Sequence, residues 1–201
     1  MLFKNHLVLI VVNTVVFTFL STSTKGQDEA FYDRLADSTL ILTKNKVSYD
    51  PSYFKLEYPN GDVPPGKGVC SDVVIRAYRK LGIDLQKKIH EDMTSNFNAY
   101  PTYWGLKGPD KNIDHRRVRN LMVYFSRYAA ILNISTNPKD YHPGDIVCWD
   151  LGEGVTHIGI VSNRRSKDGL RLLIVHNIGA GQVLEDMIFD FKIIGHYRFG
   201  I

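Results

Sequence analysis

The 201-residue sequence has only two cysteines, Cys70 and Cys148. Two cannot staple a domain of this size, so a disulfide framework is excluded as the source of its fold. A single bridge between them stays open at this point. Charge is nearly balanced: 25 Lys and Arg stand against 21 Asp and Glu, a formal net charge of +4. No basic run is dense enough to follow a phosphate backbone, so nucleic acid is not expected as a partner. Internal repeats and low-complexity tracts are missing. There is no H-E-x-x-H, and no carboxylate stands at ligand spacing from the histidines. The expectation is therefore no metal and no cofactor. With 44% hydrophobic residues the chain can bury a sizeable core.

Long apolar runs are also scarce, apart from Leu7 to Leu20 near the start. That run is short for a membrane span and suits the apolar region of a signal peptide. Lys4 and His6 precede it, and the small polar residues Ser21 to Thr24 follow. Residues 1–26 are read as a leader, cut after Gly26 or after Ser23, and 27–201 as one mature domain. An uncleaved anchor is the alternative. The expected location is periplasmic or extracellular, with no stable membrane insertion after cleavage and a monomeric state.

Residues 28–44 carry a loosely helical apolar pattern, and 47–67 are rich in Pro, Gly and Asn. Ser71 to Leu81 has Val73, Val74, Ala77, Tyr78 and Leu81 at the spacing of a buried helical stripe, stopped by Gly82. A short helix is predicted over 85–93, and another from an Asp114 cap to about Ile131. From Pro143 the pattern shortens. Runs at 145–150, 156–163, 170–177, 183–189 and 195–199 predict five antiparallel strands, as a sheet or a small barrel. Helices followed by strands make an α+β domain.

Cys70 stands where the loop meets the first of these helices. Unpaired N–H groups and the helix dipole there favour thiolate and can hold an oxyanion. A thiol nucleophile needs a base. His157 opens the run Thr156 to Val161, and Gly159 leaves space on the same face. His176 closes the next run, so a hairpin puts both histidines at one end of the sheet. His176 can then orient His157, while Asn177 points to the opposite face. Buried structural roles compete with this reading, as does zinc held by Cys70, His157 and His176, ranked below it.

The segments Gly68 to Ile83, Pro143 to Trp149 and Thr156 to Val161 resemble the NlpC-type cell-wall peptidases. From about Ile41 to Phe199 the chain is similar to the bacterial domain-of-unknown-function family 1287, a branch of that superfamily. Gly61 to Pro64, Asp84 to Gln86, His90 to Met93, Trp104 to Leu106 and Asn112 to Val118 carry this second likeness. The resemblance implies a papain-like fold, with helices packed on an antiparallel sheet. It implies Cys70 as nucleophile, His157 as base and His176 as third member. It also implies hydrolysis of amide bonds in peptidoglycan stem peptides. Two positions depart from the pattern: Val69 replaces an aspartate before the cysteine, and Asp72 replaces a glycine after it.

Between the two parts of this site lies extra helical material that can supply specificity. Arg116 and Arg117 offer guanidinium forks for stem-peptide carboxylates, beside His115. Tyr103 and Trp104 can stack on sugar. Ser71 and Asp72, next to the nucleophile, complete the expected substrate-binding set, although Asp72 can instead cap its own helix. Rival functions are an acyltransferase or lipid-ester hydrolase on the same fold, and a non-catalytic wall-binding module.

Overall fold

The computed structural model describes residues 22–200, with side chains from Asp28 onward. The leader reading lies almost wholly outside the described residues. Helix α1 spans Thr22–Leu42, and the short strands β1 (Ser48–Tyr49) and β2 (Lys67–Gly68) follow. Next come α2 (Cys70–Lys80), α3 (Leu85–Asn96) and α4 (Val118–Tyr128). The strands β3 (Ala130–Ile131), β4 (Ile146–Asp150), β5 (Thr156–Arg165), β6 (Leu172–His176), β7 (Val183–Glu185) and β8 (Lys192–Arg198) complete the chain. The architecture is mixed α+β. Among the described residues no helix is long and apolar enough to cross a membrane.

Strands β3 to β8 form one six-stranded antiparallel sheet in the order β3-β8-β4-β5-β6-β7. The expected count was five. The sixth, β3, comes from residues that periodicity assigned to the end of a helix. Ala129 is already extended, and Ala130 and Ile131 pair with Arg198 and Tyr197 on the exposed edge of β8. Leu132 N–H adds a bond to His196 O at 2.9 Å. Ladder hydrogen bonds offered by a sheet edge outweigh a weak helical pattern in these four residues. The sheet is open, with β3 and β7 at opposite edges, rather than a closed barrel. The predicted start of α4 also shifts. Asp114 heads a separate turn, Asp114–Arg116, and Arg117 occupies the N-cap.

The period-two pattern of the strands sorts side chains onto two faces. Ile146, Cys148, Ile158, Ile160 and Val175 face the helices, where Val73, Val74, Ala77, Tyr78, Leu121 and Phe125 bury against them. Val147, Trp149, Val161 and Ile174 form the other face, roofed by Tyr141, Met187 and Ile188. That roof explains why β7 ends at Glu185, short of the predicted Phe189. Met187 and Ile188 leave the sheet plane to cover it, and Ile188 O accepts from the Trp149 indole at 2.9 Å.

The breaker-rich stretch before Cys70 is ordered by its partners. β1 and β2 pair in parallel, Ser48 with Lys67 and Tyr49 with Gly68, which sets the chain just ahead of Cys70. Fully buried Gln86 accepts from Gly61 N–H and donates to Glu57 O and Lys111 O. One side chain thereby satisfies backbone groups from two loops, as burial demands.

Candidate active site

Cys70 is the first residue of α2, and Val69 before it is extended with φ −123° and ψ −174°. The N–H groups at a helix start lack intrahelical partners. Those of Cys70 and Ser71, joined by Ile158 N–H from β5, act on the sulfur and favour its anionic form. Burial works against them and is stronger. Only 5% of Cys70 is exposed, and burial, with the Asp72 carboxylate acting in the same direction, pushes the thiol up to about 11. The resting group is a neutral thiol. Cys148 lies opposite Ile158 on β4, fully buried and also pushed up by burial. Both cysteines are free thiols, so the bridge left open by the sequence is not formed.

His157 precedes Ile158, the residue whose amide reaches the Cys70 sulfur. Antiparallel pairing of β5 with β6, Ile160 opposite Val175, brings the end of β6 back beside it. His157 Nε2 and His176 Nδ1 are 3.0 Å apart, and the rings meet edge-on at 89°. Both side chains are buried. Burial, helped by the neighbouring His176, drives His157 down to about 3, so its resting form is neutral. His176 is lowered by burial as well, against the raising influence of Glu185.

Gly159 allows this pairing for a reason the sequence reading had reversed. The space beside it is filled, not open. A Cβ there would lie 2.7 Å from Ile174 Cγ2 and 3.2 Å from His176 Cβ. The missing side chain is what lets His176 approach.

His157 Nε2 and His176 Nδ1 meet at hydrogen-bond distance, so each nitrogen has the other as its partner. Among the described residues no three His, Cys, Asp or Glu side chains assemble in a metal-holding group.

Three of the predicted substrate contacts are built into the frame instead. Ser71 Oγ donates to Arg116 O at 2.7 Å. Asp72 Oδ2 accepts from Val69 N–H at 2.7 Å, capping its own helix, and its carboxylate pairs with the Arg116 guanidinium at 3.0 Å. Arg116 also donates to Ser52 O and Asp50 O. All three residues are buried, and these bonds lock the 114–117 turn onto the start of α2. His115 is buried too, and burial followed by Arg116 lowers it to about 3. It is a neutral packing residue, not a surface contact.

Arg117 and the aromatics are placed differently. The Arg117 guanidinium lies 4.2 Å from the Trp104 ring centre. Trp104 is 44% exposed and Tyr103 74%, with Arg119 stacked over the latter. Arg119 also donates to Gly154 O, in the loop that leads into β5 and His157.

Sequence reasoning missed two residues at this site. Tyr49 on β1 is half-exposed, and its hydroxyl is raised first by burial and then by the field of Cys70. Glu185 on β7 places Oε2 3.0 Å from His176 Nε2. Pairing of β6 with β7 sets His176 opposite Val183, so Glu185 is the next residue on the same face. That two-residue step is the one signal that could have found it. Asn177, on the other face, donates to Gly68 O at 3.1 Å and holds the residue two before Cys70.

None of the five described cavities is lined by Cys70, His157 or His176. The largest described, about 980 Å³, is lined by Lys46, Phe54, Lys55, Arg76, Arg79 and Lys80, away from the histidines. A smaller one of about 540 Å³ reaches Tyr49 and Val183, the two residues that flank the Cys70–His176 region.

Residues 37–199 match the family described as Domain of unknown function (DUF1287), and the chain belongs to that family. It is 52% identical over 165 residues to the uncharacterized protein YijF of Escherichia coli (strain K12), covering 82% of this chain and 80% of that relative. No solved structure matches it.

Proposed function

We propose that this chain is an exported cysteine hydrolase of the NlpC-type, papain-like kind, which cuts amide bonds in peptidoglycan stem peptides. One observation carries the reading. A cysteine at a helix start, under three backbone amides, adjoins a strand whose histidine is hydrogen-bonded to a second histidine on the next strand. Nucleophile, base and orienting partner are the residue types nucleophilic acyl transfer uses, and their closeness on α2, β5 and β6 supports the reading.

The resting pair is neutral, so the proton must move as the bond forms. Cys70 Sγ attacks the scissile carbonyl carbon while His157 takes the thiol proton. The carbonyl oxygen becomes an oxyanion, for which the helix-start amides are suitable donors. The tetrahedral intermediate collapses, the C–N bond breaks, and His157 returns its proton to the leaving amine. Water, deprotonated by His157, then attacks the thioester and releases acid product and free thiol. His176 holds the His157 ring throughout.

Tyr103 and Trp104 support a sugar-bearing polymer as substrate, because exposed aromatic rings stack on sugar faces. Arg117, unlike Arg116, retains partial exposure and suits a stem-peptide carboxylate. The test is digestion of purified peptidoglycan by wild type and Cys70→Ser, with mass analysis of the muropeptides. Wild type should release cleaved stems and the variant none. Identical muropeptides from both proteins and from a no-enzyme control would sink the proposal.

A further inference from the structure

Glu185 belongs to none of the steps above, yet it ends a chain of contacts that starts at His157. His157 Nε2 meets His176 Nδ1 at 3.0 Å, and His176 Nε2 meets Glu185 Oε2 at 3.0 Å. Glu185 is partly exposed, and among the described residues its carboxylate meets His176 Nε2.

With Glu185 ionised and both rings neutral, proton bookkeeping along this chain has one solution. An ionised carboxylate only accepts hydrogen bonds. His176 must therefore carry its proton on Nε2. A neutral His176 then has a bare Nδ1, which can only accept. The proton between the rings consequently sits on His157 Nε2, and His157 Nδ1 is left with a free lone pair. Without the carboxylate, His176 can take the opposite tautomer and donate to His157 Nε2. That moves the proton of His157 to Nδ1 and removes the base.

From these contacts we infer that Glu185 is a positioning residue that sets the tautomers of His176 and His157 and so makes His157 Nδ1 the basic atom. The inference rests on the reading of Cys70 and His157 as nucleophile and base. Its physical core, the two tautomers, can be checked without any substrate.

The experiment is nitrogen-15 NMR of the imidazoles in wild type, Glu185→Gln and Glu185→Ala. It is paired with the rate at which iodoacetamide alkylates Cys70 at neutral pH, mapped by mass spectrometry. Wild type should show Nε2–H for both histidines. Both variants should show His176 in mixed tautomers, with melting temperatures near wild type because Glu185 is at the surface. Removing outer partners that fix a histidine tautomer costs roughly 10- to 100-fold at metal-bound imidazoles, and Cys70 alkylation should slow by the same order. Buried Cys148 serves as the internal reference. Nδ1–H on His176 in wild type, or unchanged tautomers in both variants, would overturn the inference. Wild type that leaves peptidoglycan intact while showing the expected tautomers would count against the proposed substrate and uphold the role of Glu185.

Discussion

Two buried polar clusters share the first turn of α2 and handle burial in opposite ways. On one side, Asp72 and Arg116 are charged, paired at 3.0 Å and further bonded to Val69, Ser52 and Asp50 backbone groups. On the other, Cys70, His157 and His176 are equally hidden, but burial drives each toward its neutral form. The first cluster has satisfied its charges and is a frame. The second holds groups far from their ordinary titration ranges, which is where reactive chemistry concentrates. The charged lock, one turn away, holds the start of α2 in place without pairing the thiol to a permanent cation.

Breaking the reactive side alone should produce the largest effect. On the proposed function, Cys70→Ala is expected to lower turnover of stem peptides by roughly 10⁴-fold or more, with a stability change of about 1 kcal/mol, seen in kinetics beside thermal melts. Breaking the frame should do the reverse. Asp72→Ala leaves the Arg116 charge buried and unpaired and should cost about 3–5 kcal/mol in a urea titration. A variant that melts like wild type would show that the lock is not structural.

Acid separates the two sides differently. His157 and His115 are held down to about 3 in the folded chain, against an ordinary value near 6.5. The unfolded chain therefore binds their protons first, and stability present above about pH 6.5 is lost as pH falls toward 3. Each contributes at most about 1.4 kcal/mol per pH unit in that window. Replacing His157 with Asn should flatten the decline in denaturation midpoints between pH 6.5 and 4. An unchanged slope would mean that His157 is already protonated in the fold.

The smallest effect sharpens the geometry between the strands. Gly159→Ala puts a methyl against Ile174 and His176 and should cost about 1–3 kcal/mol. Activity should fall further than that loss alone explains, because His176 must shift.

Much of this was legible in the residues themselves. The Val73–Val74–Ala77–Tyr78 stripe fixes α2 and sets Cys70 at its start, since a 3.6-residue period admits one buried face. Alternation in 145–199 marks the strands and their faces. The hairpin spacing of His157 and His176 is legible for the same reason. What failed were claims about charged and polar residues between those patterns. Arg116 and Arg117 are adjacent and chemically identical, yet one is buried on Asp72 and the other lies against Trp104. No local pattern separates them, because the difference is set by a carboxylate 44 positions away.

The sequence by itself therefore determined the helix that carries Cys70, the strands that carry the histidines, and the face each residue takes. These follow from short-range periodicity and backbone sterics, which the chain carries locally. Tertiary structure decided the sixth strand at the β8 edge, the burial of Ser71, Asp72, His115 and Arg116, and the contact of Glu185 with His176. Those depend on which hydrogen-bond partners remain once distant segments pack, and burial then forces every polar group to find one.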